Sequence, residues 1–453
     1  MDKKALMEKL AREAHEKGCF NGTWLYAEKG EIVSKGAMGF RDAEDTLPME
    51  EDSIFEMASV TKQFTAAAIM LLVREGKLSV DDEFTEYFPE FPYPGVRIRH
   101  LLTHTSGIPD YDVEEWVAPI LEKEKRIPPC SEVLSFICES GEEPIGAPGE
   151  KYCYSDIGYT LLANTVEKVS GVSFEEFLKK NIFEPAGMRD TGIYHTRRDG
   201  RPSDRFTRNM VLEEGGFVPS DCSKDAGYVV GSDGLNGCDY AYTTIFDMLK
   251  WDRALREGKV VTPEEQELMY TPVRLNSGEE YVDEDGDMYG FGWGITRDDA
   301  LGRIVSHSGG MPGLNTWFER FLDKDAVLLI FANRDPEDMR AFSGFWDGMR
   351  AVARGEEPAP IVSIEDIMVR DPDKSRWESF CGRYEQPEGE DFTIREVFMK
   401  DGELYAAGRV YGPDRTFRLY PTGENEFGRK GGFLKLTFGD GCLMYDGHSC
   451  KKL

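Results

Sequence analysis

The chain has 453 residues, 40% of them hydrophobic and 12% aromatic, enough for two domains with buried cores. Its 84 Asp and Glu against 54 Lys and Arg leave a formal net charge of -30, which opposes nucleic acid and anionic membrane surfaces as partners. No stretch approaches the ~20 apolar residues of a membrane span, the first ten residues are charged where a signal would be apolar, and the nine scattered cysteines hold no Cys-x-x-Cys pair, so a cytoplasmic protein with reduced thiols is expected.

Residues 1–10 read as an amphipathic helix, and residues 23–28 and 31–36 as a hairpin around Lys29-Gly30. A long apolar stretch over residues 59–73 reads as a buried helix stopped at Glu75-Gly76. It opens on Ser59-Val60-Thr61-Lys62. Three positions apart on a helix, the serine and the lysine share a face one turn from each other. A serine hydroxyl needs a neighbouring base to become a nucleophile. Lysine is that base only if its pKa falls from about 10.4, and the partial positive charge of a helix start favours an alkoxide. The same pattern recurs at Ser449 and Lys452, in a polar tail where no chemistry is expected.

Residues 84–95 are a Pro-rich loop, and residues 98–102 a short helix broken at Ser106-Gly107. His100 and His104 have the spacing of helical metal ligands, but no Cys, His or Glu-x-x-His completes a site, so both read as structural and no metal is expected. Helices are predicted over residues 131–140 and 157–169. Before the second stands Tyr154-Ser155-Asp156 on a tight loop. A phenol serves as a base when cations surround it; the other possibility is a core aromatic. Residues 197–236 read as irregular and residues 245–256 as a helix. Strands are predicted over residues 304–305, 317–321 and 327–331, with Ser306-His307-Ser308-Gly309-Gly310 following the first. Glycines there permit close approach and can aim N–H groups at an oxyanion, though a hairpin end with a surface histidine has the same composition. Residues 355–374 read as a linker, and residues 375–453 as short alternating strands with an Asp401-Gly402 turn, a small antiparallel barrel. Neither Gly-x-Ser-x-Gly nor a phosphate-cradling glycine loop occurs.

In this order the segments resemble the serine β-lactamase and penicillin-binding-protein-like hydrolases, on the class C side. Residues 55–62 match the first motif, Tyr154-Ser155-Asp156 the second (usually Tyr-x-Asn), and His307-Ser308-Gly309 the third (Lys-Thr-Gly in class C, often His-x-Gly in related peptidases and esterases). Residues 98–107, Pro185-Ala186-Gly187-Met188 and Tyr289-Gly290-Phe291-Gly292-Trp293 match further landmarks, and the resemblance runs from about Lys29 to Arg334. It implies an α+β fold: an antiparallel sheet flanked by helices plus an all-helical subdomain, with the site between them. The expected domains are a hydrolase domain over 1–354, a linker over 355–374 and a lipocalin-like β domain over 375–453.

The resemblance also implies roles. Ser59 is the acylated nucleophile, and neutral Lys62, or Lys62 with Tyr154, takes its proton. Tyr154 then protonates the leaving group and activates water. The oxyanion lies between the backbone N–H groups of Ser59 and Gly310, with Asp156, His307, Ser308 and Gly309 against substrate. Two departures matter. Asp156 is a carboxylate where an amide is usual; ionised, it raises the lysine pKa and shifts the base role to Tyr154. His307 offers at most a partial charge near neutrality, which weakens recognition of a carboxylate. The expectation is an esterase, or an amidase or peptidase on small or D-residue substrates, with no cofactor. The alternatives are a β-lactamase or D-Ala-D-Ala carboxypeptidase, an acyltransferase, and a non-catalytic binding or sensor protein. The substrate is a small molecule or short peptide, oligomeric state is left open, and loops over 114–125 and 197–236 are expected to line the cleft.

Overall fold

The computed structural model describes all residues except 111–112, 214–215, 225, 387–392, 410–413, 431, 433–434, 440 and 446–447, and the side chains of 113–115, 409 and 414 are likewise left aside. The described chain forms two compact units, Met1–Glu8 with Asn21–Asp335, and Lys9–Phe20 with Pro336–Leu453.

The first unit is built on a seven-stranded antiparallel sheet in the order Glu31–Met38, Gly22–Glu28, Ala326–Ala332, Leu314–Phe321, Gly302–Met311, Gly294–Asp298, Met288–Tyr289. The apolar run of Ala326–Ala332 is buried at every position, as a central strand covered on both faces must be. Helix Ile245–Arg256 is tied to the sheet by an ion pair, Arg320 Nε to Asp252 Oδ1 at 2.7 Å, with both side chains buried. The helical part contains Lys62–Arg74, Ile98–Leu102, Val113–Glu124, Glu132–Ser140, Asp156–Ser170 and Phe174–Leu178. Ser155 caps one of these: its Oγ accepts the Gly158 N–H at 3.0 Å. Antiparallel sheet, flanking helices and helical part agree with the expected α+β class.

Three expected elements differ. The helix expected over 59–73 is a single 3₁₀ turn, Ala58–Thr61, running into an α-helix, Lys62–Arg74. Residues i and i+3 eclipse in a 3₁₀ turn, which brings Ser59 and Lys62 closer in line than an α-helix does. Of residues 114–125, all but Lys125 belong to helix Val113–Glu124, which holds Pro119 inside it, and not to a loop. The stretch expected to be irregular carries a hairpin, Met210–Glu213 with Gly216–Pro219, and helix Ala226–Gly231.

In the second unit, helix Met339–Arg354 is capped by Asp338, whose other carboxylate oxygen accepts the Ile364 N–H at 2.6 Å. The stretch read as a linker is therefore ordered, with Ile361 and Ile364 buried. Beyond it, sheets of four and five strands hold Trp377, Phe380, Leu404, Leu419, Phe427 and Phe438 between them. They form one ring. Strands Asp414–Arg418 and Tyr420–Pro421 are separated only by Leu419, whose N–H bonds the Leu404 carbonyl, and a Tyr384–Lys452 bridge joins first strand to last. Closure of this kind removes exposed edges. The sequence pattern reads strands over residues 392–400 and 433–438, and their first residues, Phe392 and Phe433, lie outside the described residues. Among the described residues no helix is long and apolar enough to cross a membrane, and the nine cysteines are unpaired.

Candidate active site

The 3₁₀ turn places Ser59 at the N-terminal end of the buried helix, and the residue before it, Ala58, has φ 43°, in the left-handed region. A side-chain-bearing residue rarely adopts that conformation unless its surroundings impose it. Strand Gly302–Met311 packs directly against that turn. A Cβ on Gly309 would stand 2.2 Å from the Met57 carbonyl oxygen and 2.4 Å from Thr316 Oγ1, so only glycine lets the strand approach the serine turn this closely. Thr316 Oγ1 adds a hydrogen bond to the Met57 carbonyl at 3.0 Å. His307, Ser308 and Gly309 are residues of the strand itself, not of a loop after it, because strand pairing continues to Met311 opposite Leu314. The neighbouring strand Gly294–Asp298 stops pairing at Ser306, which leaves one edge open from His307 onward. Ser308 and Gly310 are exposed there while His307, Gly309 and Met311 are buried.

Lys62 Nζ donates to Ser59 Oγ at 2.8 Å, to Asp156 Oδ1 at 2.5 Å and to the Cys238 carbonyl at 3.2 Å. The lysine is fully buried. Burial pulls its pKa down, but Asp156, then Tyr154 and Asp239, outweigh it and hold the ammonium well above its usual range. The Tyr154 hydroxyl faces Lys62 and Ser59, and Lys62 Nζ stands 4.9 Å from its ring centroid. Tyr154 as a whole is 37% exposed, with its hydroxyl turned inward. Burial of that hydroxyl pushes its pKa up, against the opposing pull of Lys62. Asp156 opens helix Asp156–Ser170, so the capping turn that starts the helix also brings Tyr154 and Asp156 to Lys62.

His307 sits deeper than its motif suggests. Its Nδ1 is 2.6 Å from the Ser308 carbonyl, which only accepts, so Nε2 accepts from the Tyr289 hydroxyl at 2.8 Å. Burial, then Lys62, pushes its pKa down to about 4. It is neutral near pH 7, so the partial charge expected from sequence is absent. His100 and His104 do not converge: His100 Nδ1 accepts the Arg97 N–H at 3.1 Å, while His104 is buried against Tyr154, ring centroids 4.2 Å apart. His104 Nδ1 accepts the Ser155 N–H at 3.0 Å, and burial, then Lys62 and His307, keeps the ring neutral.

Sequence patterns missed Asp239. Its Oδ1 accepts from Ser59 Oγ at 3.4 Å and the residue is 5% exposed. It lies at the end of the Gly- and Asp-rich stretch, where no periodicity signals a site. Burial, then Asp156, raises its pKa far above the carboxylate range, with Lys62 opposing. Asp156, Cys238 and Asp239 each bring one ligand atom within 4.8 Å of the others. A metal does not fit that space: the Lys62 ammonium is already bonded to Asp156 and the Cys238 carbonyl, and burial holds the Cys238 thiol protonated.

A serine and a buried lysine in hydrogen-bond contact beside a tyrosine, at the foot of an antiparallel sheet, define a protein of the serine β-lactamase and penicillin-binding type. The Beta-lactamase family model matches residues 7–349, and the chain belongs to that family. It is 32% identical over 437 residues to a penicillin-binding protein of Bacillus subtilis (strain 168), covering 94% of this chain and 91% of that one. To an esterase of Burkholderia gladioli it is 28% identical over 344 residues, covering 67% and 84%. The structure of an octameric penicillin-binding protein homologue from Pyrococcus abyssi aligns with a TM-score of 0.67 at 24% identity, covering 100% of both chains.

Proposed function

We propose that the chain is a serine acyl-hydrolase that works through an acyl-enzyme on Ser59, acting as an esterase, amidase or peptidase on a small molecule or short peptide. The observation that carries this is Lys62 Nζ at 2.8 Å from Ser59 Oγ with the Tyr154 hydroxyl facing both. Lys62, kept as ammonium by Asp156, is a donor and not the base. The active form is then the one in which Tyr154 has lost its proton to solvent. Ser59 Oγ attacks the substrate carbonyl and passes its proton to the Tyr154 oxygen, while the ammonium stabilises the charge developing on Oγ. The oxyanion is received by the backbone N–H groups of Ser59 and Gly310. Tyr154 returns the proton to the leaving amine or alcohol, then takes one from the water that releases the acyl group. Ser308 and Gly309 line the substrate on the open strand edge.

Among the described residues a penicillin carboxylate finds no uncommitted cation beside the serine, since His307 is neutral and Lys62 is held by Asp156. This supports ester or amide hydrolysis over β-lactam turnover. The test is intact-mass analysis of the full chain after exposure to a fluorophosphonate and to a penicillin. A fluorophosphonate adduct that maps to Ser59 and vanishes in Ser59→Ala supports the assignment; no adduct with any acylating probe sinks it.

A further inference from the structure

Ser59 stands between one cation and two carboxylates. Lys62 is bonded to Asp156 at 2.5 Å, and Asp239 stands on the serine itself, Oδ1 to Oγ 3.4 Å. The next anion, Glu56, already has its cation, Arg197, at 2.8 Å. Both nearby histidines are neutral, and Tyr154 and Tyr159 are pushed toward their protonated forms by burial. With Asp156 and Asp239 both ionised, the cluster is one positive charge short.

Asp239 is the group left without that charge. It is 5% exposed, yet Ser59 Oγ is its hydrogen-bond partner among the described residues, and its second carboxylate oxygen has none among them. A carboxylate buried to this degree ordinarily accepts several hydrogen bonds or faces a cation. Here the vacant side adjoins the nucleophile. We propose that Asp239 receives the α-ammonium of an aminoacyl substrate, so that the site selects amides or esters whose acyl residue carries a free α-amine. This rests on Ser59 being the nucleophile.

The spacing suits that group. In an aminoacyl unit the α-nitrogen lies about 2.5 Å from the carbonyl carbon, and attack brings that carbon to about 3 Å from the serine oxygen. A carboxylate 3.4 Å from Ser59 Oγ is then within reach of the ~2.8 Å charge-assisted hydrogen bond an ammonium makes. An N-acylated substrate offers Asp239 a neutral amide and leaves the carboxylate buried without its cation. Such asymmetry, a site built for a charged donor rejecting the analogue that lacks it, is among the stronger sources of specificity. The groups facing Asp239 are Ser59, Lys62, Asp156, Cys238, Glu56 and the buried hydroxyls of Tyr228 and Tyr240, so a bound ammonium is the change that favours its ionised form.

The experiment compares alanine p-nitroanilide with N-acetylalanine p-nitroanilide, both enantiomers of each, on the full chain and on Asp239→Asn, while a separate portion of each protein is labelled with the fluorophosphonate to show that Ser59 is reactive. The wild type is expected to favour the free amine in kcat/KM by about 30-fold or more, and the variant to lose most of that ratio. The ratio should rise with pH as Asp239 ionises and fall again as the substrate amine loses its proton. Inhibition by 1-aminoethylboronic acid against its N-acetyl form gives the same comparison without turnover, and on the wild type alone if the variant fails to fold. An enzyme whose Ser59 takes the label in the separate portion but which prefers the N-acetyl substrate or boronate overturns the proposal alone, as does a folded Asp239→Asn that keeps the wild-type ratio. Equal loss on both substrates also overturns it, because Asp239 would then serve the chemistry and not the amine. Absence of any Ser59 label removes the nucleophile and this proposal with it.

Discussion

Lys62 and Asp156 form an ion pair of 2.5 Å in which the lysine is fully buried and the aspartate side chain 32% exposed. The pair decides the protonation pattern of the site. An unpaired buried lysine loses its proton readily; this one keeps it and turns donor toward Ser59.

Replacing Asp156 by Asn removes the negative charge that most strongly raises Lys62 and that also raises Tyr154. Both pKa values fall, so the pH profile of kcat/KM on a simple ester is expected to move to lower pH. A lysine raised in the folded state contributes stability fully below its unfolded value of about 10.4 and loses it as pH rises through the folded one. The variant should therefore melt a few degrees lower at pH 7. A profile that does not move would mean Asp156 does not govern the proton inventory.

Tyr154→Phe keeps the ring against His104, 4.2 Å between centroids, and deletes only the hydroxyl. The expected result is a loss of about 10²–10⁴ in kcat with an unchanged melting temperature. Fluorophosphonate labelling of Ser59 should slow in parallel. A kcat within threefold of wild type would exclude Tyr154 as the proton carrier.

The two buried histidines make the fold sensitive to mild acid. His307 is held at about 4 and His104 well below its usual value, so the unfolded chain binds protons first as pH falls. Stability is expected to drop between about pH 6.5 and pH 4. His307→Gln should flatten part of that slope in melting curves taken across the window. The same neutrality predicts no step near pH 6.5 in the activity profile from His307.

Gly309→Ala places a methyl group 2.2 Å from the Met57 carbonyl oxygen. The strand and the serine turn must then separate, at a cost of about 1–3 kcal/mol. Activity should fall much further than stability, since the displacement acts on the open strand edge and on Ser59 together. Calorimetry paired with labelling rates distinguishes this from general unfolding.

The sequence made the serine and its lysine readable because their relation is local: three residues on one turn. Tyr154 and His307 became readable only through their order behind it. Asp239 was not, because its place beside Ser59 is created by the fold and its Gly- and Asp-rich surroundings have no period. The neutrality of His307 was hidden for the same reason, since burial is not written in a three-residue motif. Strand Gly302–Met311 was seen only at its apolar residues 304–305, because Ser306-His307-Ser308-Gly309-Gly310 neither alternates nor looks apolar. The helix Val113–Glu124 was lost to its internal proline. Long apolar runs such as Ala326–Ala332 were read correctly, as burial on both faces leaves few other compositions.

Ala58 and Gly309 come from distant parts of the chain, yet a Cβ at Gly309 would lie 3.2 Å from that of Ala58. Neither position has room to grow, and enlarging one leaves the other nothing further to give up than a single methyl. In a population of related chains position 309 should therefore stay Gly and position 58 should be no larger than Ala. A pairwise library at these two positions, selected for Ser59 labelling, would recover Ala with Gly and Gly with Gly and little else. Divergence of the surrounding loops can proceed freely around that one fixed width.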